Sequence, residues 1–404
     1  MRVIAEAFLT RALSVSSPEL SSHVTMSELS QPRLVSAHTW MQDVLVGCSE
    51  EELLQNRGRF VDTASGDQKV FRHADGQRAW KAGSFECVSV GALHARVQAA
   101  DTTRRPLIPI TVVDGIDIGK EQAALTSDDK AMVQIASNFN ALEVPSRSVA
   151  PDYGGLVSNY ALDSTQGPAA SFGAPAASLL RAHYAFYRAD AEPAAWGQTA
   201  VQQIELLGNV REHFGTCVNG KVTLTGDEKP IGEGDDFAAV SDRIQICLHT
   251  DAEILFDRGP RTGQFSDTKL TMLPAGSRPL VDQVLSASVN LRSPGGVRYM
   301  EGEPQSEALE RLVRACLRAA YRGAYLAAAL RGRKTLLLTL IGGGVFANPM
   351  DAILDAIAEA HAELAPMSHL EEVRLCLYQK GSAEGINAQL KARLASRSGD
   401  DGGS

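Results

Sequence analysis

The chain of 404 residues has no dense run of lysine or arginine, and its formal net charge is −9. Holding a nucleic acid backbone takes clustered cations, so a duplex-binding surface is argued against and only a local cationic pocket stays open. No apolar run approaches the ~18 residues that span a bilayer, so no membrane partner is expected. The six cysteines, Cys48, Cys87, Cys217, Cys247, Cys316 and Cys376, stand singly. Without a CxxC pair or a matching histidine spacing, structural zinc is not expected, and scattered thiols suit a reducing, cytoplasmic compartment. The opening MRVIAEAFLTRALSVSS has two arginines and one acid, a faint likeness to an organelle transit peptide, but no secretory apolar core.

What is present is the composition of a globular protein, with 44% apolar and 22% charged residues. The length suffices for one large core with an accessory region. Residues 1–35 are rich in Ser and Thr without a strong period and read as a loosely ordered arm. Residues 36–105 read as an accessory region, in which TWMQDVLVGCSEEELLQ has helical spacing and GSFECVSVGALHARVQ is a strand or loop entering a helix. The main domain is expected over 106–395, and the polar tail SRSGDDGGS at 396–404 is expected to be disordered.

Within the main domain, PLIPITVVDG is a short apolar run bounded by Pro and Gly, as in a buried strand. DDKAMVQIASNFNALE admits a helix or a strand. AASLLRAHYAFY and TAVQQIELLGNVREHF have helical spacing, whereas DRIQICLHTDAEILF and VDQVLSASVNL are β-rich. The long helical stretch SEALERLVRACLRAAYRGAYLAAAL precedes a strand KTLLLTLI, a helix PMDAILDAIAEAHAEL and a last strand EVRLCLYQ. Apolar strands separated by helical crossovers imply a parallel sheet covered on both faces, with ligands beyond the carboxyl ends of its strands.

The turn IGGGVFANP lies at that end. Gly342, Gly343 and Gly344 can adopt positive φ and admit a ligand against the backbone. Amides entering the next helix suit an anion, and Asn348 before Pro349 fits an N-cap followed by Pro at the first helical position. A phosphate or diphosphate is the expected guest; tight packing alone is the alternative. No Lys-Ser/Thr pair follows, and the spaced-glycine dinucleotide fingerprint is missing, so the common nucleotide folds fit poorly.

Strand, glycine turn, VFANP and helix resemble the second phosphate loop of macrodomains, in particular of the poly(ADP-ribose) glycohydrolase branch. The resemblance implies that Gly342, Gly343, Gly344 and Val345 hold the diphosphate of ADP-ribose and that Phe346 lies near the distal ribose. Upstream, VQIASNFNALE and then STQGPAAS resemble a divergent set of macrodomain hydrolases with a QxASxFNxLE and TQGPA pattern. That set includes bacterial effectors that remove ADP-ribose from arginine. Its matching residues here are Gln134, Ala136, Ser137, Phe139, Asn140, Leu142 and Glu143, then Thr165, Gln166, Gly167, Pro168 and Ala169. WGQTAVQQIELL and HTDAEI continue the likeness, which spans roughly residues 80–380.

One departure concerns the acids. The glycohydrolase branch has a glutamine and two adjacent glutamates after its first glycine loop, whereas VQQIELL offers Gln202 and Gln203. An amide exchanges no proton as a carboxylic acid does, so the acid is sought elsewhere. In HTDAEILFD a regular strand puts Asp251 and Glu253 on one face, roughly 7 Å apart, where mutual repulsion raises one pKa. They are the expected catalytic pair, with solvent exposure on an edge as the alternative. Asp257 and Asp267 are candidates for a third acid in a loop over the site. By resemblance Asn140 positions the distal ribose, with turn capping as its alternative. Phe85 is a candidate to stack on adenine, and a core Phe otherwise. His249 is a lone strand histidine.

The resemblance implies a three-layer α/β/α macrodomain-like fold with a mixed sheet and an N-terminal accessory region. It implies an ADP-ribosyl hydrolase needing no cofactor and no metal, acting on ADP-ribosylated protein and favouring single units on arginine. A non-catalytic ADP-ribose reader and a hydrolase of a free ADP-ribose-derived metabolite are the rival readings. Oligomeric state is not legible.

Overall fold

The computed structural model describes residues 32–62, 69–100, 103–163, 165–224, 228–258, 269–292 and 304–399. Its strands are β1 (Arg33–Ser36), β2 (Val61–Asp62), β3 (Lys69–Arg72), β4 (Ala79–Ser89), β5 (Ile110–Asp114), β6 (Ala131–Ala136) and β7 (Thr216–Val218). They continue with β8 (Lys221–Thr223), β9 (Gln245–Glu253), β10 (Phe256–Arg258), β11 (Lys269–Met272), β12 (Leu280–Ser286), β13 (Thr335–Leu338) and β14 (Glu372–Leu377). The α-helices are α1 (Glu50–Gln55), α2 (Val90–Ala100), α3 (Ile118–Ala124), α4 (Gln166–Gly173) and α5 (Pro175–His183). After them come α6 (Arg211–Phe214), α7 (Asp235–Arg243), α8 (Pro304–Leu330), α9 (Met350–Leu364) and α10 (Ala383–Gly399). No described helix is long and apolar enough to cross a membrane.

Nine strands form one mixed sheet in the order β2-β3-β4-β9-β12-β6-β13-β14-β5. From β12 to β5 all pairings are parallel, and β9 enters antiparallel to both β12 and β4. All four residues of β13 and five of six in β6 are buried, the unbroken apolar run of a strand covered on two faces. Helices α8 and α9 pack on one face with α2 and α7, and α3, α4 and α5 cover the other. The α/β/α layering and mixed sheet match the expectation. Arg314–Asp355 (3.2 Å) and Arg318–Glu359 (2.9 Å) bridge α8 to α9.

A second core lies under the N-terminal residues. Trp40 meets Phe172 and Phe256 edge-on at 5.4 and 5.7 Å, and its indole donates to the Ser158 carbonyl at 3.1 Å. The buried Glu50 carboxylate accepts from the Val157 and Ser158 amides at 3.0 and 2.8 Å and pairs with His183 at 2.7 Å. These bonds moor the segment leading into α4. The expected boundary at residue 105 does not divide the fold, because β4 pairs with β9 within the main sheet and α2 packs on α8.

Three local expectations are corrected. PLIPITVVDG forms β5, but at the sheet edge with one neighbour and only Ile110 buried. Its prolines suit an edge. TAVQQIELLGNVREHF is helical only in a short 3₁₀ turn and α6. The Thr199 hydroxyl accepts from the Val201 and Gln202 amides, and Gln198 from Ile204, so side chains take the bonds a helix would use. The expected tail begins inside α10, which continues to Gly399; residues 400–404 and 1–31 lie outside the described residues.

Candidate functional site

The carboxyl ends of β6, β12 and β13 lie side by side. Ala136 pairs with Ser286, and Leu337 with Val133. The glycine turn leaves β13 there, and the Ser137–Glu143 segment leaves β6.

In the turn Gly342 has φ +73°, and a Cβ there would strike the Asn348 side chain. The Asn348 amide closes the loop onto the Gly342 carbonyl at 3.0 Å, and Ala347 (φ +55°) closes onto Gly344 at 3.1 Å. The Leu291 amide ties the Phe346 carbonyl to the segment after β12 at 3.0 Å. Among the described residues, the amides of Gly344, Val345 and Phe346 have no acceptor. Successive free amides at a turn tip form an anion-binding concavity. Asn348 is not the N-cap of α9; Pro349 is, without a side-chain cap. Asn348 turns back instead to donate to the Val289 carbonyl at 2.8 Å.

The second segment meets the amino end of α4. Thr165 precedes the helix, its amide and hydroxyl both donating to Asp163 Oδ1 at 2.8 and 2.7 Å. Gln166 Oε1 accepts from the Ile118 amide at 2.8 Å, while its buried Nε2 has no partner among the described residues. A Cβ at Gly167 would collide with the Glu143 carboxyl and the Ala136 carbonyl. Glycine here lets Glu143 lie against the first turn of α4. The Glu143 amide donates to Tyr160 Oη at 2.9 Å. Burial pushes the Glu143 carboxyl up to about 8, opposed by Lys221 and reinforced by Asp163.

Lys221 was not singled out from the sequence. It follows the Asn219–Gly220 turn (φ +49° and +73°) of the β7–β8 hairpin, a two-residue turn legible in VNGK. Its ammonium donates to Asn138 Oδ1 at 2.9 Å and sits 5.9 Å from the centroid of the Phe346 ring. It thereby links the β6 segment to the glycine turn. Burial lowers the Lys221 pKa, opposed by Glu143. A chain of amides anchors the hairpin: Asn140 Nδ2 donates to Gln203 Oε1 at 3.1 Å, and Gln203 Nε2 donates to Asn219 Oδ1 at 2.8 Å.

Several expected site residues lie elsewhere. Because β9 is antiparallel to β12, its carboxyl end lies at the amino end of the parallel strands, with Glu253 opposite Leu280. Asp251 and Glu253 are therefore roughly 20 Å along the sheet from the two turns. They do not share the regular strand face expected of them either. Asp251 has φ +56° at a bulge, where its amide donates to buried Asp282 at 2.9 Å and its carboxylate faces Arg331 and Arg333. Glu253 accepts from the Lys81 amide at 2.7 Å and pairs with Arg278 at 3.4 Å. Gln134 is buried in β6, its amide spent on Ala320 O and Thr339 N. Asn140 is fully buried and bonded at both ends of its amide, to Gln203 and the Leu142 amide. Phe85 stacks on His249 at 5.8 Å in mid-sheet. Asp267 lies outside the described residues.

Asp257 on β10 is placed differently. Burial raises its pKa, Lys120 opposes this, Asp117 at the start of α3 adds to it, and its buried Oδ1 has no partner among the described residues. β10 packs on α3 and α4, and Asp257 faces Lys120 and Asp117 at the start of α3, whose first residue Gln166 bonds. Among the described residues, no three His, Cys, Asp or Glu side chains converge as metal ligands would.

No family model matches the chain, and no curated protein matches it in sequence. Among solved structures it is similar to poly(ADP-ribose) glycohydrolase from Deinococcus radiodurans in complex with ADP-ribose. The identity is 14% over 78% of this chain and 95% of that one, with a TM-score of 0.43. It is similar also to poly(ADP-ribose) glycohydrolase from Thermomonospora curvata, at 14% identity over 85% and 98% of the two chains and a TM-score of 0.40.

Proposed function

We propose that the chain hydrolyses the glycosidic bond between ADP-ribose and a protein side chain, with arginine-linked single units the favoured substrate. One observation carries this reading: the glycine turn and the segment that carries Glu143 stand at the ends of adjacent strands, and Lys221 bridges them through Phe346 and Asn138. Their motifs are those of the resemblance in the sequence. The free amides of Gly344, Val345 and Phe346 suit a diphosphate, and Thr165, Gln166 and Gly167 at the start of α4 suit the adjoining phosphate and ribose.

The chemistry falls to Glu143 beside Gly167 and Asp257 facing the start of α3, the two described carboxyls that burial raises. In hydrolysis the bond from the anomeric carbon to the guanidino nitrogen breaks, water supplies hydroxyl to carbon, and its proton goes to nitrogen. A carboxylate holds the cationic guanidino group by two parallel hydrogen bonds, and a second carboxyl orients water and passes the proton.

Release of ADP-ribose from an arginine-modified protein should be measured beside isothermal titration with ADP-ribose. Glu143→Gln and Asp257→Asn are expected to bind ADP-ribose while turnover falls by orders of magnitude. Binding by the wild type without turnover would make the chain a reader. Turnover confined to small ADP-ribose derivatives would make it a metabolite hydrolase.

A further inference from the structure

Lys221 is partly buried, yet it forms no ion pair with a described residue, and its hydrogen-bond acceptor is the neutral amide oxygen of Asn138. A buried ammonium held by an amide alone is incompletely compensated. It stands between two groups of opposite demand. On one side lies the glycine turn, with the Phe346 ring 5.9 Å away and three free amides at its tip. On the other lies the segment that carries Glu143: Asn138, whose oxygen Lys221 bonds, donates through Nδ2 to the Leu142 and Val144 carbonyls at 3.1 and 3.3 Å, on either side of Glu143. Lysine is a compact charge on a long rotatable stem, so it serves either neighbour with a small change of rotamer.

We propose that Lys221 is the cationic contact between the two turns for the diphosphate, and that its engagement by the ligand draws protons from solvent onto Glu143 above neutral pH. This rests on the two turns forming an ADP-ribose site. Before binding, the ammonium holds the Glu143 carboxyl lower than burial alone would, so that it ionises as pH rises through about 8. A diphosphate neutralises that ammonium, and Glu143 then keeps to higher pH the acid form a glycosidic cleavage uses. Substrate thus keeps the acid armed above neutral pH. The other groups facing Glu143 are Asp163 before α4, Arg181 of α5 and Tyr160. Lys221 faces Arg147, Asp163 and Cys217 as well. Asp163 raises the Glu143 pKa and Arg181 lowers it, and neither lies on the hairpin that carries Lys221, so the two influences stay in place when Lys221 is replaced.

The test is isothermal titration of ADP-ribose in two buffers of very different ionisation enthalpy, which counts protons taken up on binding. Loss of one neighbouring positive charge raises a carboxyl by about one unit or more. From a start near 8, this gives about half a proton at pH 8.5 and nearly none at pH 6. Lys221→Met should abolish the uptake and weaken binding by about tenfold or more. Lys221→Arg should keep the uptake. Glu143→Gln should keep the affinity and lose the uptake. Binding with the same proton count in wild type, Lys221→Met and Glu143→Gln overturns the coupling and leaves ADP-ribose binding at the two turns standing. No ADP-ribose binding by the wild type overturns both.

Discussion

Replacing Glu143 with glutamine should make the protein more stable at neutral pH while removing its activity. Burial carries this carboxyl from 4.5 to about 8. A raised carboxyl contributes stability below its unfolded pKa, and that contribution is lost as pH rises through the folded value. At pH 7 the native group is protonated and the unfolded one ionised, a gap of about 2.5 units worth roughly 3 kcal/mol. Lys221 and the residual exposure of the side chain reduce this to ~1–3 kcal/mol. Glutamine keeps the shape and does not ionise. Urea unfolding of both proteins at pH 5, 7 and 8.5 should show glutamine gaining as pH rises, the signature of a site kept under strain for chemistry. Stability curves that run parallel across that range would refute the burial argument.

Asp251→Ala and Glu253→Ala should each leave turnover near wild type and cost ~1–3 kcal/mol of unfolding free energy, since each abandons arginines packed around it; loss of turnover with folding intact would return them to the mechanism. Gly342→Ala puts a Cβ on the Asn348 side chain at φ +73°, and calorimetry with ADP-ribose should show at least a tenfold loss of affinity. An unchanged dissociation constant would separate the turn from the ligand. His249 is held neutral by burial and by Arg181, its pKa depressed from 6.5 to about 3. The unfolded chain therefore takes up a proton that the native chain refuses. Stability should fall by up to ~1.4 kcal/mol per pH unit as pH drops below 6.5. His249→Gln should flatten that slope, and an unchanged slope would show that other groups set it.

The parallel half of the sheet was legible because strands covered on both faces must be apolar throughout, as TLLL in β13 is. The glycine turn was legible for the reason that glycine is needed there, at Gly342 above all. Strand direction was not legible. HTDAEI has the composition of a strand end near a site, but an antiparallel partner sends that end to the far side of the sheet, and only pairing with β12 decides this. Helical spacing misled at 199–214, where Thr199 and Gln198 bind backbone amides within a few residues. The VNGK hairpin carried a clear local signal. Nothing local said that it would deliver Lys221 to the glycine turn, because that depends on Gln203 bridging Asn140 and Asn219 across residues far apart in the chain.

On the proposed reading a chain of net charge −9 receives an anion and must assemble its positive potential locally, and the two turns do so with groups that water screens little. Arg181 is fully buried beneath them, and its hydrogen-bond acceptors are the Ala141 carbonyl (3.3 Å), His249 Nδ1 (3.0 Å) and Ser178 Oγ (3.2 Å), all uncharged. Because a guanidinium only donates, His249 must accept at Nδ1 and give its proton through Nε2 to the Ala82 carbonyl at 2.6 Å. That tautomer keeps the histidine neutral and leaves the arginine charge directed at Glu143 and the turn that carries it. Backbone amides at the glycine turn, a lysine on an anchored hairpin and an arginine under the floor together oppose the long-range repulsion of the acidic surface. They act inside a Debye length, where salt weakens buried interactions far less than exposed ones.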